Sequence, residues 1–345
     1  MKKLIVLIVI IGSLALAGWL WLNLHRPKSS QARWQMLTVP SGMPMLGLAD
    51  SLQEAGLVSP FGQKSFITAA VLTGKGRRLQ PGRYRLSPSQ TPWQILTFLE
   101  EGRVHTIRVT IPEGLTSKQI DVLLHENGIS RAGEFLALTT VNARSFSTPF
   151  PKGDDSLEGY LFPDTYDIDG RQGTQEVICK MLNRFEEVVW DGLLNNQSSI
   201  TFPSNPSETV LNLHEIITLA SLVEAEARLA EERPLIGGVL LNRLHKGMRL
   251  ECDATVQYAL DERKSRLSYA DLETPSPYNT YLHFGLPPGP INNPGRASIE
   301  AVLRPGQSLF LFYVARPDGS HIFSRTFKEH RAAIARLNHA GLREQ

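Results

Sequence analysis

The N-terminal segment constrains this chain most, because residues 4–22 form an apolar run without a single charged side chain. As a helix, a run of this length rises about 28 Å, close to the thickness of a bilayer core of about 30 Å. Lys2 and Lys3 precede the run, and Trp19 and Trp21 lie at its outer end, where tryptophans favour the membrane–water interface. The pattern predicts a cytoplasmic tail and transmembrane anchor over residues 1–24.

A cleaved signal peptide is the competing interpretation, because Ala15-Leu16-Ala17 has the A-x-A form of a cleavage site. The apolar core of a signal peptide usually has about 7–15 residues and ends before that site. Here the apolar run continues through Leu22. This continuation favours an anchor that remains attached, with the bulk of the chain outside the cytoplasm.

Charge and motif content exclude several classes of function. The chain has 36 basic and 34 acidic residues, which are scattered, so no nucleic-acid partner is expected. Cys179 and Cys252 form no CxxC motif; they could pair in a disulfide or remain buried thiols. His214-Glu215 begins an H-E-x-x pattern, but Thr218 replaces the second histidine of a zinc-binding helix. We therefore expect neither metal nor cofactor, which leaves carboxylates as the main chemical groups.

An internal repeat organises the first part of the chain after a polar linker at residues 25–34. Residues 38–42 (Thr-Val-Pro-Ser-Gly) recur as residues 110–114 (Thr-Ile-Pro-Glu-Gly), an offset of 110 − 38 = 72. Each copy predicts a short strand, a turn and an amphipathic helix ended by glycine. We interpret residues 35–105 as a small α+β module and residues 106–145 as a related half-unit. A chance match of a common pattern is the alternative.

Further elements are predicted on either side of a long, loop-rich region. Residues 82–86 read as a strand and residues 91–102 as a helix capped by Thr91, whereas residues 309–324 read as a hairpin followed by a helix from Thr326. Beyond residue 150, proline and glycine become frequent and long loops carry tyrosines, as in segments that line a site. The predicted fold class is α+β, with an N-terminal transmembrane helix, a small α+β subdomain and a mixed α/β domain.

The richest carboxylate segment is a predicted buried helix that begins after Asn212, which acts as cap with Glu215 three residues later. We expect this helix to run to Arg233, because Pro234 interrupts the pattern. Two acidic side chains near its middle, Glu224 and Glu226, are two residues apart, hence about 200° apart around the axis, and cannot form a pair on one face.

The surroundings of the two glutamates favour Glu224 as a general acid. Glu224 shares its face with small and apolar residues: Leu213, Ile217, Ala220, Ser221 and Ala227. A carboxyl in such a setting resists ionisation, as a general acid near neutral pH must. Glu226 shares its predicted face with Arg233, where an ion pair could satisfy it. The alternative is that Glu224 is a structural glutamate, paired with a buried arginine such as Arg228 or Arg243.

A second candidate region is the loop at residues 274–281 together with residues 285–295. Alternating proline and glycine fix a rigid, irregular backbone. Tyrosines offer flat surfaces for sugar rings, and asparagine and threonine side chains offer hydrogen bonds to hydroxyl and acetamido groups. A purely structural crossover loop explains the same composition, and the residues alone leave both interpretations open.

Taken in order, these segments resemble the endolytic murein transglycosylase family, also called the YceG-like lytic transglycosylases. The stretches that carry the resemblance span nearly the whole chain: residues 157–166 (LEGYLFPDTY), 220–226 (ASLVEAE), 241–244 (LNRL), 248–250 (MRL), 253–256 (DATV), 278–290 and 319–323 (GSHIF). Cys252 and Ala254 depart from the residues usual in the family. The resemblance implies an inner-membrane anchor, a LysM-like subdomain over residues 35–105, and a catalytic domain over residues 106–345 that includes the half-unit.

The resemblance also implies a reaction. The first glutamate of the A-S-x-V-E-x-E stretch, here Glu224, is expected to be catalytic in an endolytic cleavage of the bond between N-acetylmuramic acid and N-acetylglucosamine. The expected products carry 1,6-anhydro ends, and cutting nascent strands would terminate their elongation. The expected location is the bacterial inner membrane, with a single span and the catalytic domain in the periplasm. The expected partners are peptidoglycan strands, with peptidoglycan synthases (penicillin-binding proteins) as candidates.

Nine further residues are candidates for substrate binding: Glu158, Tyr160, Ser221, Asn242, Asp253, Thr255, Tyr278, Asn279 and Thr280. Two alternative functions remain open at this point. One is a two-carboxylate muramidase-type hydrolase, with Glu158 or Asp253 as the partner of Glu224. The other is a non-catalytic scaffold that binds the cell wall through its N-terminal module.

Overall fold

Helices and short two-stranded sheets build the chain in two structural units. The computed structural model describes residues 2–104, 106–153, 155–169, 173–202, 208–260, 264 and 266–341. Unit 1 comprises Met1–Arg108 with Asp167–Gly173, and unit 2 comprises Val109–Tyr166 with Thr174–Gln345. The mixed helix-and-strand class expected from the sequence is confirmed.

Helix α1 (Lys2–Leu24) contains the whole apolar run predicted from the sequence. Within the described part of the chain it is the one helix long and apolar enough to cross a membrane, with a mean hydropathy of 2.5 and no buried residues. Its length and composition suit a membrane anchor or a signal sequence.

The rest of unit 1 is a small α+β fold. It contains β1 (Gln35–Val39), α2 (Met45–Glu54), α3 (Pro60–Leu72), a 3-10 turn (Lys75–Arg77), β2 (Gly82–Leu86) and α4 (Pro92–Glu100). The two strands are antiparallel, with Thr38 opposite Arg83. Three helices pack on them around fully buried side chains, among them Leu52, Phe66, Tyr84 and Leu96. Thr91 caps α4 in a capping box with Gln94, as its position before Pro92 predicts.

The internal repeat is present in the backbone. Its second copy forms β3 (Thr106–Thr110) and α5 (Ser117–Glu126), matching β1 and α2 of the first copy. The turn glycines Gly42 and Gly114 have φ values of 75° and 77°, and Gly56 and Gly128, after the helices, have 70° and 66°. Left-handed backbone at four corresponding positions, which glycine adopts without steric cost, confirms the strand–turn–helix repeat.

The remaining elements complete the order of the chain. They are α6 (Glu134–Thr139), β4 (Thr165–Asp169), α7 (Thr174–Phe185), β5 (Ser199–Phe202), β6 (Thr209–Asn212), α8 (Leu213–Glu226), α9 (Arg233–His245), α10 (Asp253–Ala259), α11 (Tyr269–Leu272), α12 (Arg296–Leu303), β7 (Phe312–Ala315), β8 (His321–Ser324) and α13 (Phe327–Gly341). Strand β3 pairs with β4, and β5–β6 and β7–β8 are antiparallel hairpins. The predicted C-terminal hairpin and the helix after Thr326 are therefore confirmed, and the N–H of Glu329 donates to Oγ1 of Thr326 at 3.2 Å.

Helix α8 forms the centre of unit 2. Nine of its residues are buried (Leu213 and Ile216 to Val223), and α9 and α12 pack against it. A helix surrounded in this way must be apolar on most sides, which the sequence shows. The predicted cap is confirmed, since Asn212 Oδ1 accepts from the N–H of Glu215 at 3.0 Å and Glu215 Oε2 accepts from the N–H of Asn212 at 2.8 Å.

The predicted end of this helix is wrong. Helix α8 ends at Glu226, a 3-10 turn covers Ala230–Glu232, and α9 begins at Arg233 with Pro234 in its first turn. Proline lacks an N–H, and the first turn of a helix is where that N–H has no partner in any case. Pro234 therefore starts a helix here and does not end one.

Candidate active site

The carboxyl of Glu224 lies in the last turn of α8, where α9 and the segment before α12 approach it. Its side chain is 8% exposed. One oxygen, Oε2, accepts a hydrogen bond from the N–H of Gly295 at 3.0 Å. The other oxygen, Oε1, forms an ion pair with the guanidinium of Arg233 at 3.6 Å, a separation longer than a hydrogen bond. The backbone therefore fixes the orientation of this carboxyl and leaves Oε1 without a direct hydrogen bond to Arg233.

Arg233 was predicted to share a helical face with Glu226, and that prediction is wrong. Because α8 ends at Glu226, the rotation of 100° per residue does not extend to residue 233. The chain turns back, and the first residue of α9 brings its guanidinium to Glu224 instead. The structural alternative, an ion pair between Glu224 and a buried arginine such as Arg228 or Arg243, is met in part, because Arg233 lies within ion-pair distance of Glu224. Arg243 instead binds the backbone carbonyls of Leu311, Arg249 and Leu250 and the carboxylate of Glu251.

Glu226 occupies different surroundings, as the separation of the two glutamates around the helix predicts. Burial raises the pKa of Glu226, and the nearby charge of Asp253 raises it further. Hydrogen bonds from the N–H of Ala254 and the hydroxyl of Tyr313 act in the opposite direction. Glu224 and Glu226 thus do not form a carboxylate pair.

A buried amide holds the segment that carries Gly295. Asn293 is 0% exposed, and its Oδ1 accepts from the N–H groups of Gly159 at 2.9 Å and Leu161 at 3.0 Å. Its Nδ2 donates to the carbonyl of Leu115 at 2.9 Å and to Glu158 at 2.7 Å. All four hydrogen-bonding positions of this amide are used, which rigidifies the segment. The sequence showed Asn293 only as part of a proline–glycine loop.

Ser221 anchors the same segment to α8. It is fully buried, and its Oγ accepts from the N–H of Ile291 at 3.0 Å. The carbonyl of Ser221 accepts from Nδ2 of Asn292 at 2.8 Å. A side chain one turn before Glu224 therefore fixes the backbone that supplies the N–H of Gly295.

Glu158 is a buried carboxyl, 6% exposed, that lies against the N-terminus of α5. Both of its oxygens are 3.0 Å from the N–H of Ser117, and Oε1 also accepts from Nδ2 of Asn293. Burial raises the pKa of Glu158 to about 7, although these hydrogen bonds favour the ionised form. The contacts of Glu158 link its own loop to the N-terminus of α5 and to the loop of Asn293.

The other candidate residues are mostly held by internal hydrogen bonds. The hydroxyl of Tyr160 is hydrogen-bonded to Nδ1 of His214 at 2.9 Å, and the hydroxyls of Thr255 and Thr280 are hydrogen-bonded to each other at 2.9 Å. The amide of Asn279 donates to the carbonyls of Leu272 and Thr274. Asn242 uses its amide hydrogens on the carbonyls of Ser308 and Phe310. Asp253 is exposed, and Tyr278 is half-buried with its ring 4.9 Å from that of Tyr258. Contact with substrate stays a prediction for all of them.

Two charged residues near Glu224 were not selected from the sequence. Glu113, in the turn of the second repeat copy, has a pKa raised by burial and by the charge of Glu224 and lowered by Arg233. The repeat could have drawn attention to Glu113, because the first copy has the uncharged Ser41 at the corresponding position. Nothing in the spacing indicated Arg233, whose place depends on the turn between α8 and α9.

A cavity of about 610 Å³ lies at the opposite end of α8 from Glu224. Its lining includes His214, Glu215, Val210 and Phe284. Glu215 precedes Glu224 by nine residues, hence roughly 14 Å along the helix axis. The cavity therefore does not contain the candidate acid.

The cysteines are both free, with Cys179 exposed and Cys252 buried. Among the described residues no group of three or more His, Cys, Asp or Glu side chains has an arrangement that could hold a metal ion. The arrangement around Glu224 offers one oriented carboxyl, a nearby guanidinium and a second carboxyl. Such a set can donate and accept one proton.

Comparison with known proteins gives a consistent result. Residues 37–336 match the model of the YceG-like family. The endolytic murein transglycosylase of Bacillus subtilis (strain 168) is 31% identical over 310 residues, which cover 86% of this chain and 83% of that protein. The endolytic murein transglycosylase of Streptococcus pneumoniae (strain ATCC BAA-255 / R6) is 27% identical over 338 residues, covering 89% of this chain and 59% of that protein.

One solved structure is similar over most of the chain. The crystal structure of a yceG-like protein from Listeria monocytogenes superposes with a TM-score of 0.55 and 29% sequence identity. The match covers 88% of this chain and 100% of that one.

Proposed function

The chain belongs to the YceG-like family, and on that premise we propose that it is an endolytic murein transglycosylase that uses Glu224 as its general acid and base. The substrate is the glycan strand of peptidoglycan, and the scissile bond joins N-acetylmuramic acid to N-acetylglucosamine. Two relatives that carry the name endolytic murein transglycosylase support the activity.

The observation that carries the assignment is the geometry of the Glu224 carboxyl. The N–H of Gly295 holds Oε2 at 3.0 Å, while Oε1 has no hydrogen bond to Arg233. A general acid needs a fixed orientation and one oxygen from which a proton can leave. Glu224 also occupies the first glutamate position of the A-S-x-V-E-x-E stretch.

The proton moves in two steps. Glu224 protonates the bridging oxygen as the bond from that oxygen to C1 of the muramoyl residue breaks, and the muramoyl 2-acetamido group stabilises the positive charge that develops at C1. The muramoyl 6-hydroxyl then attacks C1, and Glu224, now a carboxylate, takes the hydroxyl proton. The product is a 1,6-anhydro sugar, the acid is regenerated and no water is consumed. Acid–base assistance of this kind typically contributes about 10²–10⁴-fold in rate.

Helix α1 supports a proposal for the position of the enzyme in the cell. We propose that α1 is an uncleaved single anchor in the inner membrane and that unit 2 acts in the periplasm, because the apolar run of α1 continues past the candidate cleavage site. Residues 35–105 are proposed as a LysM-like subdomain and residues 106–345 as the part that contains the catalytic site. Peptidoglycan synthases are proposed partners, since a cut in a nascent strand ends its elongation.

The test compares Glu224→Gln with a matched control in the full-length protein in detergent micelles. Glutamine keeps the size of the side chain but has no transferable carboxyl proton, so we expect cleavage of purified glycan strands to fall by at least about 10²-fold. Glu231→Gln makes the same charge change at an exposed residue of the following turn and should cleave as the wild type does. Wild-type cleavage by a correctly folded Glu224→Gln protein would reject the assignment.

A further inference from the structure

Glu113 lies in the turn between β3 and α5, and the backbone of this turn is tied to the segment before α12. The N–H of Gly114 donates to the carbonyl of Asn293 at 2.9 Å, and the N–H of Asn293 donates to the carbonyl of Leu115 at 3.0 Å. This pair of reciprocal hydrogen bonds fixes the turn against the residues that lead to Gly295. The position of Glu113 is therefore a property of the fold, although the residue as a whole is partly exposed to solvent.

Gly295 lies between two carboxyl groups. Its N–H donates to Oε2 of Glu224, as described above. A methyl group added to Gly295 would lie 2.0 Å from both Cδ and Oε1 of Glu113, closer than any such contact in real proteins. The carboxyl of Glu113 therefore packs directly against the α-carbon of the residue whose N–H binds Glu224. A methyl group added to Gly114, the residue after Glu113, would lie 3.4 Å from Cγ of Glu224, so the turn that carries Glu113 also packs against the side chain of Glu224.

The charges around this arrangement are few. Among the residues that the structure describes, Glu224 of α8 and Arg233 of α9 are the charged groups that act on the Glu113 carboxyl. Arg296, the first residue of α12, is ion-paired with Glu300 at 2.8 Å. Residues 290–295 contain no charged side chain. Two carboxyls and one guanidinium thus form a local group with a net charge of −1 when both carboxyls are ionised.

We propose that Glu113 is a positioning residue that acts through Glu224: its carboxyl, packed against Gly295 beside Glu224, offsets the charge of Arg233 and so sets the pH range in which Glu224 serves as the acid. This inference rests on the proposed function of Glu224. The assignment adds a second acidic residue to the site, and it differs from the hydrolase alternative, in which Glu158 or Asp253 was the partner.

The physical reason is the competition between like and opposite charges. An arginine that faces a single carboxyl favours the ionised form of that carboxyl, which works against a general acid. A second carboxylate nearby opposes the ionisation of both groups together, so the pair titrates as a unit and gives up its last proton only at higher pH. Burial and the charge of Glu224 raise the pKa of Glu113, which is the direction that this coupling requires.

The test is the pH dependence of kcat/KM for strand cleavage by the full-length protein in detergent micelles. In Glu113→Gln, Arg233 faces Glu224 alone, so the basic limb of the profile should move to lower pH by about one unit or more. Cleavage at the acid end of the profile should persist, because the acid itself is intact. Glu126→Gln, which removes an exposed carboxylate from α5, should keep the wild-type profile.

A second variant displaces the Glu113 carboxyl without changing its charge. Gly295 has φ −76°, which alanine adopts freely, so Gly295→Ala should fold and push the flexible end of Glu113 aside. We expect its basic limb to shift in the same direction, and we expect no further shift when Gly295→Ala is combined with Glu113→Gln, since both changes act on one interaction.

The outcomes separate the two proposals. If Glu224→Gln is inactive while Glu113→Gln and Gly295→Ala keep the wild-type pH profile, the role of Glu113 is wrong and the proposed function stands. An equal loss of activity at every pH in Glu113→Gln would also overturn it, because that result indicates direct participation and not an effect on the proton of Glu224. Cleavage by Glu224→Gln would reject the proposed function itself.

Discussion

Substitution of Glu158 by glutamine should change how the stability of unit 2 depends on pH. The Glu158 carboxyl is buried, and burial raises its pKa from 4.5 to about 7. The folded state therefore binds this proton more tightly than the unfolded state does. The resulting contribution to stability is complete below the unfolded pKa and is lost as the pH rises through about 7.

The magnitude follows from the size of the shift. A change from 4.5 to about 7 corresponds to about 3 kcal/mol, at about 1.4 kcal/mol for each pKa unit. Glutamine has the shape of the protonated carboxyl and carries no charge at any pH. The stability of Glu158→Gln relative to the wild type should therefore increase by about 3 kcal/mol between pH 4.5 and pH 8.

The assay is differential scanning calorimetry of the full-length proteins in micelles across this pH range. For a unit of this size, 1 kcal/mol corresponds to about 2–4 °C in Tm, so the difference in Tm between the two proteins should grow by about 6–12 °C. Other groups with shifted pKa values, such as Glu226, are present in both proteins and cancel in the difference. Glu126→Gln serves as control, with an expected Tm difference from the wild type that does not change with pH. A Tm difference between Glu158→Gln and the wild type that is equally independent of pH would refute the reasoning.

Two further predictions test the packing of unit 2 and the state of its cysteines. Gly159 has φ 90°, and a methyl group there would lie 2.4 Å from Cγ of Pro290 and 2.8 Å from Cγ2 of Ile217. Gly159→Ala should therefore destabilise unit 2 by about 3 kcal/mol or more, measured by calorimetry. An unchanged Tm would contradict this prediction. Cys179 is exposed, whereas Cys252 is buried and burial raises the pKa of its thiol. A maleimide should therefore label Cys179 in the native protein and Cys252 only after unfolding. Labelling of Cys252 in the native protein would contradict this prediction.

Local signals in the sequence predicted local structure well. The length of the apolar run predicted α1, and capping residues predicted the starts of α4, α8 and α13. These signals are reliable because they act within a few residues of the chain. The repeat at an offset of 72 residues identified two copies of one strand–turn–helix unit. Its glycines require the same left-handed backbone in both copies, which the sequence preserves.

The end of α8 could not be predicted in this way. A proline after a long apolar pattern is compatible with ending one helix or starting the next, and local sequence does not distinguish the two. Because the end of α8 was wrong, the predicted position of Arg233 was wrong too. Its predicted partner was Glu226, whereas its neighbour in the structure is Glu224. Contacts that depend on the path of the chain after a turn require the tertiary structure.

The candidate site was predicted in its central residue but not in its surroundings. The residues that share a face of α8 indicated Glu224 as the acid. Glu113 and Asn293 come to the site from segments that are far from α8 in the sequence. Their positions depend on reciprocal hydrogen bonds between two loops, which leave no periodic pattern in the chain. Composition indicated that the proline–glycine loop was rigid; only the structure shows that it supplies the N–H that orients the acid.

The most direct test of the account is the chemical identity of the sugar ends that the wild-type protein produces. Mass spectrometry of strands cleaved by the full-length protein should show 1,6-anhydro-N-acetylmuramic acid at the new ends, since the 6-hydroxyl of the muramoyl residue returns its proton to Glu224 and no water enters. The same ends should be absent from reactions with Glu224→Gln. Reducing ends heavier by one water would contradict the account and show that the enzyme is a hydrolase.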